Sequence, residues 1–198
     1  MSINVCNDRS MASITSLPSG VTGSSLVLIS EQTASSSANI SFTSGIDSTY
    51  KEYIFKFIDI HPASESHFEF NGSIDGGTNY NVTKTTTAAQ ATHYENDSSA
   101  TLGYITSQDL AQSTSDKQLA RNMGNDNDSC VVGTLHLFNP SSTTFVKHFI
   151  ARCNVHKTYS SDNFTAGYLN TTSAVNAVKF EMESGNIDSG TIKMYGVV

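Results

Sequence analysis

Apolar and polar residues alternate with a period of two over most of this chain, and the alternating runs end in clusters of Ser, Asn, Asp or Gly. Successive side chains of a strand point to opposite faces, so the pattern predicts strands joined by tight turns. The run AVNAVKFEME (174–183) is the clearest. Val178, Phe180 and Met182 fall on one side, and Lys179, Glu181 and Glu183 on the other. A sheet with one face in a core and one in water reads this way. Ile40 alternates with Phe42, Phe68 with Phe70, and Ile192 with Met194 in the same manner. SLVLIS (25–30) reads as a buried strand. EYIFKFIDI (52–60) is apolar on both faces, which predicts a strand in the middle of a sheet, ended by Pro62. CVVGTLHLF (130–138) and TTFVKHFIARCNV (143–155) flank Asn139-Pro140-Ser141-Ser142 and predict a hairpin. NFTAGYLN (163–170) is a further short strand, and the paired glycines of IDGGTNY (74–80) predict another hairpin turn.

Two segments break the pattern. Residues 85–128 are rich in Thr, Ala, Gln, Ser and Asn and show no long strand. Within them STSDKQLARNMG (113–124) predicts one short helix, with Ser115 as its cap, Leu119 and Met123 one turn apart and Gly124 at its end. Residues 1–24, with Pro18 and Gly20, read as an irregular arm expected to pack against a neighbouring subunit or along the domain. The expected organisation is therefore an arm (1–24) and a single domain (25–198) carrying a loop and helix insertion at 85–128. About eight strands in two blocks predict an all-β fold, an antiparallel two-sheet sandwich of jelly-roll type with one short helix in a long central connection. The phrase Ser-Gly-(Asn)-Ile-Asp-Ser occurs at 44–48 and again at 184–189. Gly tolerates positive φ, and Asp and Ser bond their own backbone, so each copy is expected to be a strand-to-strand corner.

Composition sharpens this picture. The 198 residues include 30 Ser and 22 Thr, while only 15% are charged, below the usual quarter or so. The surface is hydrated through hydroxyls and amides more than through ions. The net charge of −7 and the scattered basic residues argue against nucleic acid as a partner. No apolar run approaches the roughly 18 residues of a membrane span. The first 20 residues lack the basic start and apolar centre of a secretory signal. Cys6, Cys130 and Cys153 are odd in number and widely spaced, so they read as reduced thiols, the latter two at strand positions. Seven Asn-x-Ser/Thr triplets occur among 16 Asn; a chain so rich in Ser and Thr brings several by chance, so no glycosylation is read into them.

Candidate chemistry is sparse. Glu181 and Glu183 share the solvent face of a strand and lack the converging geometry of a glycosidase pair. His136 and His148 lie on the two strands of the predicted hairpin and would nearly face each other, but no third ligand is near in sequence. Asp126 and Asp128 have the Asp-x-Asp spacing of a calcium loop without its following Gly and distant Glu, so a solvated turn is the alternative. No nucleophile elbow, phosphate loop or dinucleotide fingerprint occurs. No enzyme activity and no cofactor are expected. Tyr residues in predicted loops, foremost Tyr94 and Tyr104, could stack on sugar rings, although the chain has no Trp.

Three segments carry a family resemblance. LVLISEQTASSSANISFTSGIDSTYKEYIFKFIDIHPA, GTLHLFNPSSTTFVKHF and AGYLNTTSAVNAVKFEMESGNIDSGTIKMYGV resemble small virion-associated proteins of tailed bacteriophages, particularly marine ones. The ending SGNIDSGTIKMYG is the most distinctive piece. The resemblance covers roughly 25–83 and 130–198 and is weak elsewhere. It implies a structural protein located in the virion, with other virion proteins (major capsid or tail proteins) as partners and a homotrimeric assembly. It supplies no catalytic residues. The expected role is head decoration or cement, with a tail-fibre or receptor-binding module that recognises a host glycan as the alternative.

Overall fold

The computed structural model describes residues 25–198; the expected arm at 1–24, its packing and Cys6 lie outside the described residues. Twelve strands follow one another: β1 (Leu26–Ser37), β2 (Asn39–Phe42), β3 (Glu52–Pro62), β4 (Ser66–Ser73), β5 (Lys84–Tyr94), β6 (Ala100–Tyr104), β7 (Lys117–Met123), β8 (Val131–Phe138), β9 (Lys147–His156), β10 (Tyr159–Leu169), β11 (Ala177–Met182) and β12 (Ile187–Val197). They form two antiparallel sheets, ordered β1-β12-β3-β8-β9-β10-β5-β6 and β2-β11-β4-β7.

Setting aside β5, β6, β9 and β10 leaves β1-β12-β3-β8 facing β2-β11-β4-β7. The consecutive pairs β1/β2, β3/β4, β7/β8 and β11/β12 each cross from one sheet to the other. That wrapping is the double Greek key of a jelly roll. The remaining strands, β9-β10-β5-β6, continue the larger sheet beyond this frame as a four-stranded wing.

The core lies between the sheets of the frame. Alternation turns Tyr53, Phe55 and Phe57 of β3 inward against Phe42, Phe68, Phe70 and Phe180 of the smaller sheet. Phe180 is the hub, with ring centroids 5.2 Å from Phe55, 5.1 Å from Phe57, 5.8 Å from Phe68, 6.2 Å from Phe42 and 6.4 Å from Phe70. Phe149 of β9 joins through Phe70 at 4.8 Å. As the alternation predicts, Val178, Phe180, Met182, Ile192 and Met194 are all buried. β3 runs between β12 and β8, in the middle of its sheet as expected. Its parity changes once, at Asp59, whose φ is 50°. The register with β8 shifts between Phe57 and Ile60, so Ile60 is buried while Ile58 is exposed.

Four expectations are corrected. Residues 85–128 are not a loop and helix insertion: they hold most of β5, all of β6 and the framework strand β7. The predicted helix at 113–124 is β7, and the one helical feature in the described segment is a 3-10 turn at Thr106–Gln108. Leu119 and Met123 are four residues apart, an even spacing that also places them on one face of a strand. The edge of β4 completes the case for strand by pairing with this segment. β1 is a strand but not a buried one: it forms a sheet edge, and Val27 and Leu28 are exposed. IDGGTNY is a turn but not a hairpin, since β4 pairs with β11 and β7 rather than with β5. Asp75 organises that turn, accepting from Ser73 Oγ at 2.6 Å, Asn79 N at 2.9 Å and Asn79 Nδ2 at 2.7 Å. These bonds lower its pKa to about 2.

Both copies of the repeated phrase lie at strand-to-strand corners that cross between the sheets, as expected, but with different geometry. At 44–48 it is a corner: Gly45 has φ +81°, Asp47 Oδ1 accepts from Thr49 N at 2.8 Å, and the Tyr53 hydroxyl accepts from Asp47 N at 2.9 Å. At 184–189 the turn centres on Gly185 (φ +77°), and Ile187-Asp188 already belong to β12. Gly190 follows at φ +118°, and a Cβ there would lie 2.6 Å from Asp59 O and 2.7 Å from Ile60 Cα. This glycine fits β12 against the bulge of β3. Gly190→Ala is expected to cost about 1–3 kcal/mol through backbone strain and this contact. Urea unfolding of the two proteins checks it.

Candidate functional site

The wing carries the most unusual surface among the described residues. Along β9 the pattern puts His148, Ile150, Arg152 and Asn154 outward and Phe149, Ala151, Cys153 and Val155 inward. The register pairs Tyr168 with His148, Ala166 with Ile150 and Phe164 with Arg152. On the other side of β10 it pairs Tyr168 with Thr85, Ala166 with Thr87 and Phe164 with Ala89, and Ala89 in turn faces Tyr104 of β6. Larger side chains thus rim a floor of Ala166 and Ala89. A hollow of about 470 Å³ is lined by Thr85, Thr87, His148, Ile150, Ala166 and Tyr168. Beside it a second, of about 320 Å³, takes in Ala89, Arg152 and Phe164.

An outward sheet face is ordinarily polar. Here Ile150 is 55% exposed, Phe164 40%, Tyr104 59% and Leu102 79%. The polar groups between them are largely engaged. The Arg152 guanidinium carbon sits 4.9 Å from the Phe164 ring centroid, and its Nε and Nη2 donate to Asp162 at 3.0 and 2.5 Å. That cation is neutralised locally. The rings of His148 and Tyr168 lie 5.9 Å apart. Thr87 Oγ1 donates to the Tyr104 hydroxyl at 3.2 Å, which donates to Asp109 Oδ2 at 2.6 Å.

Between β10 and β5 the inner face of the wing differs from the frame's core, which β9 still joins through Phe149, Ala151, Cys153 and Val155. Gln90 Nε2 donates to Ser161 Oγ at 2.8 Å and to Asn163 Oδ1 at 3.2 Å. Ser161 and Asn163 are buried, so hydrogen bonds replace hydrocarbon there. Lys84 and Lys117 are wholly buried. Lys84 Nζ donates to Ser115 O at 2.6 Å, and Lys117 Nζ to Gln108 O at 2.8 Å. The segment between β6 and β7 has carbonyls that no ladder uses, and these ammonium groups satisfy them. Burial lowers both pKa values to about 8.

The residues singled out from the sequence are scattered. Tyr104 lies on the wing's outer face. Tyr94 lies at the other end of β5, its ring 5.3 Å from that of Tyr159. Tyr94 is five positions from Ala89, the partner of Tyr104, which is roughly 17 Å at about 3.4 Å per residue. The two tyrosines share no cavity. Asp126 and Asp128 lie in the turn before β8, where Ser129 N donates to Asp126 O at 2.8 Å and His156 Nδ1 lies 3.1 Å from Asp128 O. Among the described residues, no three His, Cys, Asp or Glu side chains gather to hold a metal ion. Asp128 lines a polar hollow with Asp59, His61, Cys130 and Asp188. His136 and His148 do not face each other: His136 is opposite Ile150, and its Nδ1 lies 2.6 Å from Glu52 Oε1. Cys153 is buried, which pushes its thiol pKa up, and Cys130 is half-buried; both are free.

Sequence reasoning passed over Ile150 and Phe164 as site residues because each sits in an ordinary strand pattern, and it counted Tyr168 only among the tyrosines that could stack on a sugar ring. The available signal was Phe164 and Tyr168 on the same parity of β10, opposite Asn163 and Thr165.

No protein-family model and no curated protein matches this chain. Among solved structures it is similar to galectin LEC-6 of Caenorhabditis elegans, at 11% identity over 88% of this chain and 99% of that one, with a TM-score of 0.31. A likeness of that size carries no inference about ligands.

Proposed function

We propose that this chain is a non-enzymatic structural protein of a phage virion that decorates or cements the capsid surface, docking on other virion proteins through the outer face of its wing. The observation that carries this reading is the exposure of Ile150, Phe164, Tyr104 and Leu102 on one sheet face that would otherwise be polar. Apolar patches of this kind mark protein contacts, and aromatic anchors dominate binding energy at such contacts. The resemblance of the three sequence segments supplies the kind of partner. The purified protein is expected to bind undecorated capsids. Ile150→Asp and Phe164→Ser, both on the outer face, should weaken that binding by roughly 30-fold or more, the weight of a central interface residue. Undiminished capsid binding by both folded variants would overturn the assignment of this face.

A second reading, recognition of a host glycan, is favoured by one feature: the hollow beside Tyr168 sets an aromatic ring among the hydroxyls of Thr85 and Thr87, as a sugar pocket requires. In that case the protein binds host cells rather than capsids, and Tyr168→Ala or Tyr104→Ala abolishes that binding.

A further inference from the structure

Among the described residues the larger sheet ends at β6, and this edge is unlike the other three. β1 carries a register shift between Leu28 and Ser30 and the ion pair of Glu31 with Lys193 at 3.0 Å. β2 has four residues, and Gln32 Nε2 donates to its Ser41 O at 2.8 Å. β7 has two register shifts, a positive φ at Asn122 and contacts to that residue's backbone from His67 Nδ1 and the Tyr159 hydroxyl. Such devices blunt an edge against pairing. β6, Ala-Thr-Leu-Gly-Tyr, has neither charge nor proline nor bulge, and all five of its residues are exposed.

The ladder with β5 sets which groups face outward. Tyr94 N donates to Ser99 O at 3.0 Å, and Ile105 N to Ala88 O at 2.9 Å. Alternation from these bonds directs the N–H and C=O of Ala100, Leu102 and Tyr104 to the open edge. Their side chains all lie on the wing's outer face, in register with His93, Ala91 and Ala89.

We propose that β6 pairs antiparallel with β6 of a second copy about a two-fold axis at Leu102. Leu102 then faces its own counterpart, and Tyr104 of each copy faces Ala100 of the other. The strand is self-complementary in both respects that matter. Each of the three positions exchanges two backbone bonds with its partner, and the large ring meets the small side chain at either end. Gly103, where a Cβ would meet nothing within 4 Å, leaves the opposite face of the seam flat. Closing the pair also joins the apolar faces of two wings across Leu102. An isologous contact of this type closes with two copies, where the sequence resemblance implies three. The inference stands independently of the virion reading.

The test is the mass of the full chain in solution, by sedimentation or light scattering, from micromolar to tenths of millimolar concentration. The wild type is expected to weigh twice the 21.3 kDa of one chain. Leu102→Pro deletes an N–H that β5 does not use and should give a monomer, since an outward N–H is where an edge strand tolerates proline. Leu102→Lys, at a position 79% exposed, should do the same with an unchanged circular dichroism spectrum and a Tm that no longer rises with protein concentration, so loss of pairing is separable from loss of fold. A monomeric or trimeric wild type would overturn the proposal, and so would a dimer that persists in Leu102→Lys.

Discussion

Phe180→Ala is expected to destabilise the protein by about 3–5 kcal/mol, the range for removing a large buried aromatic side chain. Phe180 is fully buried and meets rings from both sheets: Phe42, Phe68 and Phe70 from its own, Phe55 and Phe57 from β3. No single neighbour can swing in to fill the space without abandoning its own contacts, so the cavity term adds to the lost burial. Marginal domains have only about 5–15 kcal/mol in total. The variant should therefore show a Tm lower by roughly 10 °C, with a matching fall in the urea midpoint. Phe180→Leu keeps most of the volume and should lose much less. A loss below about 1 kcal/mol for the alanine variant would contradict the hub.

The second large effect is a pH dependence centred on Glu69. Its side chain lies on the outer face of the smaller sheet, yet it is only 8% exposed. Glu181 is directly opposite it on β11, with Glu183 beyond and Asp116 at the start of β7. Lys179 is drawn off by hydrogen bonding to Glu181, its Nζ also 3.9 Å from Asp116 Oδ2. Burial first, then the charges of Glu183, Asp116 and Glu181, raise the Glu69 pKa from 4.5 to about 7, while a hydrogen bond from Gln118 opposes them. A raised folded-state pKa means that the native protein holds this proton more tightly than the unfolded chain does. The stabilisation is complete below about pH 4.5, is lost as pH rises and is gone above about 7. Glu69→Gln removes the titration. The stability difference between Glu69→Gln and wild type should grow in the variant's favour from pH 4.5 to 8, by on the order of 3 kcal/mol at about 1.4 kcal/mol per pKa unit. Parallel unfolding of both proteins across that range measures it, and a difference that stays constant would show that Glu69 titrates alike in the folded and unfolded states.

The frame was legible because its signal is local. Phe180 with Val178 and Met182, or Ile192 with Met194, declare an inward face by parity alone, and one slip would turn all of them to water. The hairpin of β8 and β9 was marked by Asn139-Pro140, and the centrality of β3 by its two apolar faces. The two-sheet class followed, because faces that are apolar on one side must cover each other.

Of the wing, β9 and β10 were read as strands, but β5 and β6 were not legible, and neither was the candidate site. After Lys84, β5 reads TTTAAQATHY, with threonine and alanine on both faces, because its inner Gln90 hydrogen-bonds to Ser161 and Asn163 of β10 rather than meeting hydrocarbon. Without a hydrophobic face there is no period to detect. The spacing of Leu119 and Met123 satisfies a helix and a strand alike, and only the free edge of β4 decides between them. The outer hollow requires Thr85, Tyr168 and His148 in one row across three strands, a juxtaposition set by register between segments far apart in the chain. In cleanly alternating strands such as β11 and β12 the sequence by itself determined which residues leave water, because burial there follows side-chain chemistry and strand parity. The tertiary structure alone decided which strands become neighbours, and so which exposed groups share a face, because backbone pairing is indifferent to residue type and is settled by the edges left open once the core has closed.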